Sequence, residues 1–142
     1  MTGIDRIGLD SHAVIYYLDR THPYYPLIGW LFQQAEAGEK ELVASPVVEL
    51  EVLVRPYREG DVSKVRMVNR FFSEFPNLTV LKTDRAIAQR AAQLRASVNF
   101  SAPDALIVAT SLAGDCQGMV GNDRYLADHA QDLHYLYLDS YL

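Results

Sequence analysis

Five short apolar runs, each set between helix-like segments, constrain this sequence to one broad architecture. They cover residues 4–9, 41–44, 78–81, 118–121 and 136–138. In the first run Ile7 and Leu9 alternate with Arg6 and Gly8, the period-two pattern of a strand. A helix is expected over 13–18. After the breaker THPYYP, an amphipathic segment carries Leu27, Ile28, Leu31 and Phe32 to Ala37, where Gly38 stops it. Ser45 and Pro46 form a cap and first helical residue for VVELEVLVR, which Pro56 is expected to close. Residues 61–75 form a further helix ending before Pro76, and Asp84 caps an Ala-rich one running to Ser97. Ser101 opens APDALIVATSLAG, and Asp123 starts a short last helix. Strands that alternate with helices predict an α/β fold around a mainly parallel sheet of four to five strands, flanked by helices.

The length of 142 residues, 49% of them apolar, predicts one domain over residues 1–142 with a core that needs no disulfide or structural metal. No repeat, low-complexity tract or linker is visible. Cys116 is the only cysteine, so no intrachain disulfide can form, and the residue reads as a small buried hydrophobe. The opening MTGIDRIGLDSHAV has acids where an export signal would have a basic flank, and no run of about 18 apolar residues follows. A soluble, cytoplasmic protein without a membrane partner is expected.

Where strands hand over to helices, the chain places acids. In open parallel sheets ligands bind beyond the carboxyl ends of the strands, where loops and helix N-termini converge. Asp10 follows IGL and Asp123 follows MVGN; Glu51 and Asp104 lie on helices that begin at that same edge. Each has an ordinary reading as well. Asp10 and Asp123 suit N-caps, and Ser101-Ala-Pro-Asp104 matches a capping box. On a helical projection Glu51 shares a face with Val47, Val48 and Val54, so its carboxylate needs a partner. That partner is either a cation or Arg55, four residues on. The constellation carries more weight than its members.

At this point the sequence resembles the PIN-domain ribonucleases, and among them the VapC-type toxins of toxin-antitoxin pairs. The resemblance rests on IGLDSHAVIYYL, ASPVVELEVLVRP, APDALIVATSLAGD and MVGNDRYLA, in that order and spacing, over nearly the whole chain. It implies a PIN-like three-layer fold and places the family's acidic positions on Asp10, Glu51, Asp104 and Asp123, with Ser11 and Asn122 beside them. Two departures stand out: Gly121 where the family often has Thr before the Asn-Asp step, and Val48 where Thr or Ser is often found before the helix Glu. Both bear on outer hydrogen bonding rather than on the acids themselves.

The resemblance implies a metal-dependent endoribonuclease, and an all-oxygen donor set suits Mg²⁺ or Mn²⁺ as its cofactor and disfavours zinc. Asp10, Asp104 and Asp123 are the expected ligands, and Glu51 binds through water or positions the nucleophile. It also implies an RNA substrate, a cognate antitoxin and a homodimer. The formal charge of −5 is the wrong sign for gripping nucleic acid by bulk electrostatics, but four acids neutralised by dications would account for most of it. Arg124, next to Asp123, is the favoured substrate contact, although Arg and Lys side chains here also suit solvated helix faces. His12 is either near the metal or at the surface, and Tyr16, Tyr17, Tyr24 and Tyr25 either stack on bases or pack. A haloacid dehalogenase-type phosphatase would need a second Asp at His12, and a nucleotide-binding module would need a Gly-rich loop. The remaining alternative is a PIN-fold scaffold that binds RNA or protein with weak or no catalysis.

Overall fold

A computed structural model describes residues 4–142. The elements run β1 (Arg6–Leu9), α1 (Ser11–Leu18), α2 (Tyr25–Glu36), β2 (Glu41–Ala44), α3 (Pro46–Glu59), α4 (Val62–Glu74), β3 (Leu78–Val80), α5 (Arg85–Ser97), α6 (Ala102–Ala113), β4 (Gly118–Gly121), α7 (Arg124–His129) and β5 (His134–Tyr137), followed by a 3₁₀ turn over Leu138–Tyr141. All strand pairings are parallel, in the order β3-β2-β1-β4-β5.

That order follows from connection chirality. The first two crossovers step outward from β1 through β2 to β3; the third returns across β1 to start β4, and the fourth steps outward again to β5. Right-handed crossovers then put α1 to α4 on one face and α5 to α7 on the other. The packing agrees, with α6 against β1 and β2, α1 against β4 and α4 against β3. The result is the expected three-layer α/β fold with its sheet in the middle. The three central strands β2, β1 and β4, covered on both faces, are nearly continuous apolar runs: Ile7, Leu9, Leu42, Val43, Met119 and Val120 are all at most 3% exposed. Gly8 lets α6 approach closely, because a β-carbon there would stand 1.9 Å from Ser111 Oγ.

Several element ends shift by a residue or two from expectation, α1 beginning at Ser11 among them, and three differences have a clear physical reason or consequence. Pro56 does not end α3, which continues to Glu59 and stops at Gly60 in the left-handed conformation (φ 66°). Pro56 is buried in line with Val48 and Val52, and this packing offsets the hydrogen bond its ring cannot make. Helix α2 begins at Tyr25, inside the expected breaker, with Pro26 in the first turn where its missing N–H costs nothing. Strand β5 starts two residues early, at His134, which brings Tyr135 into the sheet. Among the described residues no helix is long and apolar enough to cross a membrane.

Candidate active site

The strand order reverses between β2 and β4, the two neighbours of β1, so the topological switch point lies at the carboxyl edge of β1 and β4. Asp10 leaves β1 there and continues the ladder by donating its N–H to Val120 O at 2.9 Å. Its carboxylate caps α1 through Ser11 N–H at 2.7 Å and accepts from the Tyr135 hydroxyl at 3.2 Å. Asp123 caps α7 by accepting from Leu126 N–H at 3.1 Å. The capping readings of both residues therefore hold, alongside any further role.

Asp10 is only 4% exposed. Burial pushes its carboxyl up to about 6, and the Asp104 charge adds to the rise, while the Ser11 N–H, His12 and the Tyr135 hydroxyl act the other way. Asp104 is also raised, first by burial and then by the charges of Asp123 and Glu51, with Ser101 and His12 opposing. Asp104 thus feels three other acids from distant parts of the chain. Ser101 Oγ accepts from Asp104 N–H at 3.2 Å, which forms the serine half of the capping box.

Glu51 accepts a hydrogen bond from Ser11 Oγ, tying α3 to the start of α1. The alternative partner does not engage it: Arg55 pairs with Glu59 at 2.7 Å. The buried stripe of α3 is Val48, Val52 and Pro56, with half-buried Glu51 at its border, whereas Val54 is 40% exposed. Among the described residues, no ion pair includes Asp10, Glu51, Asp104 or Asp123. Nor, among those residues, does any group of three or more His, Cys, Asp and Glu side chains stand at a spacing that could hold a metal ion. The acids are electrostatically coupled at the switch point without converging to metal spacing.

The neighbouring residues divide into two groups. Asn122 donates to Tyr16 Oη at 3.2 Å and accepts from Asp139 N–H at 2.9 Å, joining the C-terminal turn to α1. Tyr16 stacks on Tyr24 at 4.2 Å, and Tyr24 donates to Asp139 at 2.6 Å, so these tyrosines pack. Arg124 is exposed, with Asp128 at 4.0 Å. His12 is exposed, and its charge reaches Asp10 and Asp104. Cys116 is buried, its thiol pushed up to about 11 by desolvation. The residue that sequence reasoning missed is Tyr135, whose hydroxyl accepts from Asp123 N–H at 3.1 Å while donating to Asp10. The alternation in HYLYL was the signal: Leu136 and Leu138 are buried on one side, which places Tyr135 and Tyr137 on the other.

The fold has solved counterparts. It is similar to a chain of VapBC2 from Rickettsia felis bound to a promoter DNA fragment, with a TM-score of 0.70 at 14% identity, covering 93% of this chain and 98% of that one. FitAcB from Neisseria gonorrhoeae gives 0.70 at 18% identity, covering 96% and 99%. A toxin-antitoxin complex from Klebsiella pneumoniae gives 0.64 at 19% identity, covering 93% and 95%. At these identities the likeness concerns the fold. No curated protein matches the chain. The PIN domain profile matches residues 7–132, most of the sequence from β1 to the start of β5, and the chain therefore belongs to the PIN-domain family.

Proposed function

We propose that this protein is a metal-dependent endoribonuclease that hydrolyses RNA phosphodiester bonds and serves as the toxin of a toxin-antitoxin pair, one PIN unit spanning residues 1–142 and working in the cytoplasm. The observation that carries the reading is the electrostatic coupling of Asp104 to Asp10, Asp123 and Glu51 at the switch point, where among the described residues no salt bridge engages them and His12 is the basic group whose charge reaches Asp10 and Asp104.

The donor chemistry fits a hard dication. All four groups are carboxylates, and the raised value of Asp10 marks negative charge that burial makes costly and a cation would relieve. Asp10, Asp104 and Asp123 would hold Mg²⁺ or Mn²⁺. Bound there, the ion supplies Lewis-acid stabilisation of the phosphoryl oxygens and activation of water. The chain's own side chains do the rest. Ser11 N–H and the Tyr135 hydroxyl fix the Asp10 carboxylate, and Ser11 Oγ holds one oxygen of Glu51. The second Glu51 oxygen would position the attacking water and take its proton as the new P–O bond forms, while the P–O bond to the leaving nucleotide breaks and that oxygen takes a proton from solvent. Arg124, exposed beside Asp123, contacts a substrate phosphate.

Partners follow by analogy. The similar structures named above include toxin-antitoxin complexes, and a cationic antitoxin side chain would match the uncompensated acids. A homodimer is proposed on the same footing. One observation favours a second reading, a scaffold with weak or no catalysis: among the described residues no three candidate ligands stand at metal spacing. A cleavage assay on structured and unstructured RNA with and without Mg²⁺ separates the two. Metal-dependent cleavage that Asp10→Asn abolishes, and that the neighbouring reading frame's product inhibits, is expected; RNA binding without cleavage would instead establish the scaffold.

A further inference from the structure

The register of β4 with β5 sets Met119 beside Tyr135. The Tyr135 ring reaches along the sheet toward its carboxyl edge and places the hydroxyl where residue 121 would otherwise carry a side chain. A β-carbon on Gly121 would stand 2.4 Å from that hydroxyl, 2.6 Å from Asp10 Cβ and 2.8 Å from Asp10 Oδ2. Glycine at 121 therefore admits the phenol, and no other residue does so without displacing Asp10 or Tyr135. The admitted hydroxyl has two partners, Asp10 Oδ2 as acceptor and Asp123 N–H as donor. It bridges the residue that leaves β1 to the residue that caps α7.

We propose that Tyr135, admitted by Gly121, is a positioning residue whose hydroxyl orients the Asp10 carboxylate and the start of α7 for the binding of a hard divalent cation. The inference rests on the metal-dependent reading above. Its physical basis is rotational. Ser11 N–H holds Asp10 Oδ1 and Tyr135 holds Oδ2, so the carboxylate cannot turn about its Cβ–Cγ bond, yet each oxygen keeps a lone pair for a ligand. Asp123 is set in the same frame, since its backbone N–H is the hydroxyl's donor and its side chain caps α7. Mg²⁺ demands near-ideal octahedral geometry, and outer hydrogen bonds that orient its ligands govern affinity. A tyrosine that merely packed β5 would affect melting and leave ion affinity alone.

The test is Tyr135→Phe, which removes one oxygen and keeps the ring, with Tyr137→Phe as control because the Tyr137 hydroxyl faces Asp139. Free Mn²⁺ measured by electron paramagnetic resonance gives the dissociation constant. We expect Tyr135→Phe to weaken Mn²⁺ binding by about 10–100-fold, to lower kcat by a comparable factor with KM for RNA unchanged, and to keep a wild-type circular dichroism spectrum. Tyr137→Phe should match wild type in all three. A second measurement needs no variant: on Mg²⁺ titration of the wild-type protein, the ¹³Cζ resonance of Tyr135 should move and saturate, while that of exposed Tyr57 stays. Wild-type Mn²⁺ affinity in Tyr135→Phe, or a stationary Tyr135 resonance, while Asp10→Asn loses Mn²⁺, removes Tyr135 from the site and leaves the metal reading standing. If the wild-type protein binds no Mn²⁺ and Asp10→Asn cleaves RNA as wild type does, the metal reading falls and takes this inference with it.

Discussion

The carboxyl edge of β1 and β4 and the aromatic layer on α1, α2 and α4 are held together by opposite means. In the aromatic layer Tyr17 stacks on Phe32 at 4.1 Å, and Phe32 meets Phe71 and Phe75 edge-on at 5.6 and 5.3 Å. Every ring there has several neighbours, and apolar burial is non-directional, so the loss of one contact leaves others. At the acidic edge each carboxylate depends on one or two hydrogen bonds, made against burial and against the other acids. Stability is concentrated in the first region, while the second holds charge that the folded chain alone does not neutralise.

Two substitutions would break this contrast if it is wrong. Asp10→Asn should lower Mg²⁺-dependent RNA cleavage by roughly a thousandfold or more, while the asparagine oxygen keeps the Ser11 N–H cap and the protein stays folded. Phe32→Ala should do the reverse. Phe32 is fully buried, and its truncation should reduce the unfolding free energy by about 3–5 kcal/mol without changing the Mn²⁺ affinity of the folded fraction. Urea titration and Mn²⁺ binding on both variants check the pair. A folded Phe32→Ala that has lost Mn²⁺, or an Asp10→Asn that unfolds, would show that the two regions are not separable.

The pH dependence sharpens the same contrast. Burial holds Asp10 at about 6 in the folded protein, against an ordinary 3.8. An acid raised in this way stays protonated in the fold while the unfolded chain ionises, so stability falls as pH rises from about 4 to about 6 and is level above that. Without dications, wild type should therefore lose about 3 kcal/mol relative to Asp10→Asn between pH 4 and 7, at about 1.36 kcal/mol per pH unit between the two values. Urea unfolding of both proteins across that range measures the difference. Saturating Mn²⁺ at pH 7 should narrow the gap, because an ion that binds only the folded state stabilises it. A flat difference would mean that Asp10 carries no such burden.

How much of this was legible in the sequence depended on whether the signal was local. Strand β2 and the caps Ser45, Asp84 and Ser101 fall where their residues announce them, because a cap is a short-range hydrogen bond, whereas Asp61 caps the helix it was expected to begin. Pro56 misled because its cost is local while the compensating burial is tertiary. The Arg55 alternative for Glu51 gave way for a similar reason. Spacing offered Arg55 two glutamates, and only the fold decides that Glu59 takes it while Ser11 takes Glu51. For Tyr135 the HYLYL alternation signals only a face of the strand; its role depends on a strand register and on the empty space at Gly121, neither of which a single run of residues encodes.

Helix α1 belongs to both regions, and its first residue offers the finest test of where one ends. Ser11 donates its hydroxyl to Glu51 at the acidic edge, whereas Tyr17, farther along α1, lies in the aromatic layer. Ser11→Ala removes that donor and keeps the backbone N–H that binds Asp10. Glu51 is half-buried and can recover a water in its place, so the stability change should stay within about 1 kcal/mol. Catalysis should fall more, by about tenfold in kcat with KM unmoved, which is roughly 1.4 kcal/mol lost from the transition state. Ser11→Thr should restore most of the rate, since it returns the hydroxyl. If Ser11→Ala instead lowers stability by several kcal/mol and leaves kcat intact, the Ser11–Glu51 bond serves to clamp α3 onto α1, and the acidic edge is part of the scaffold on that side.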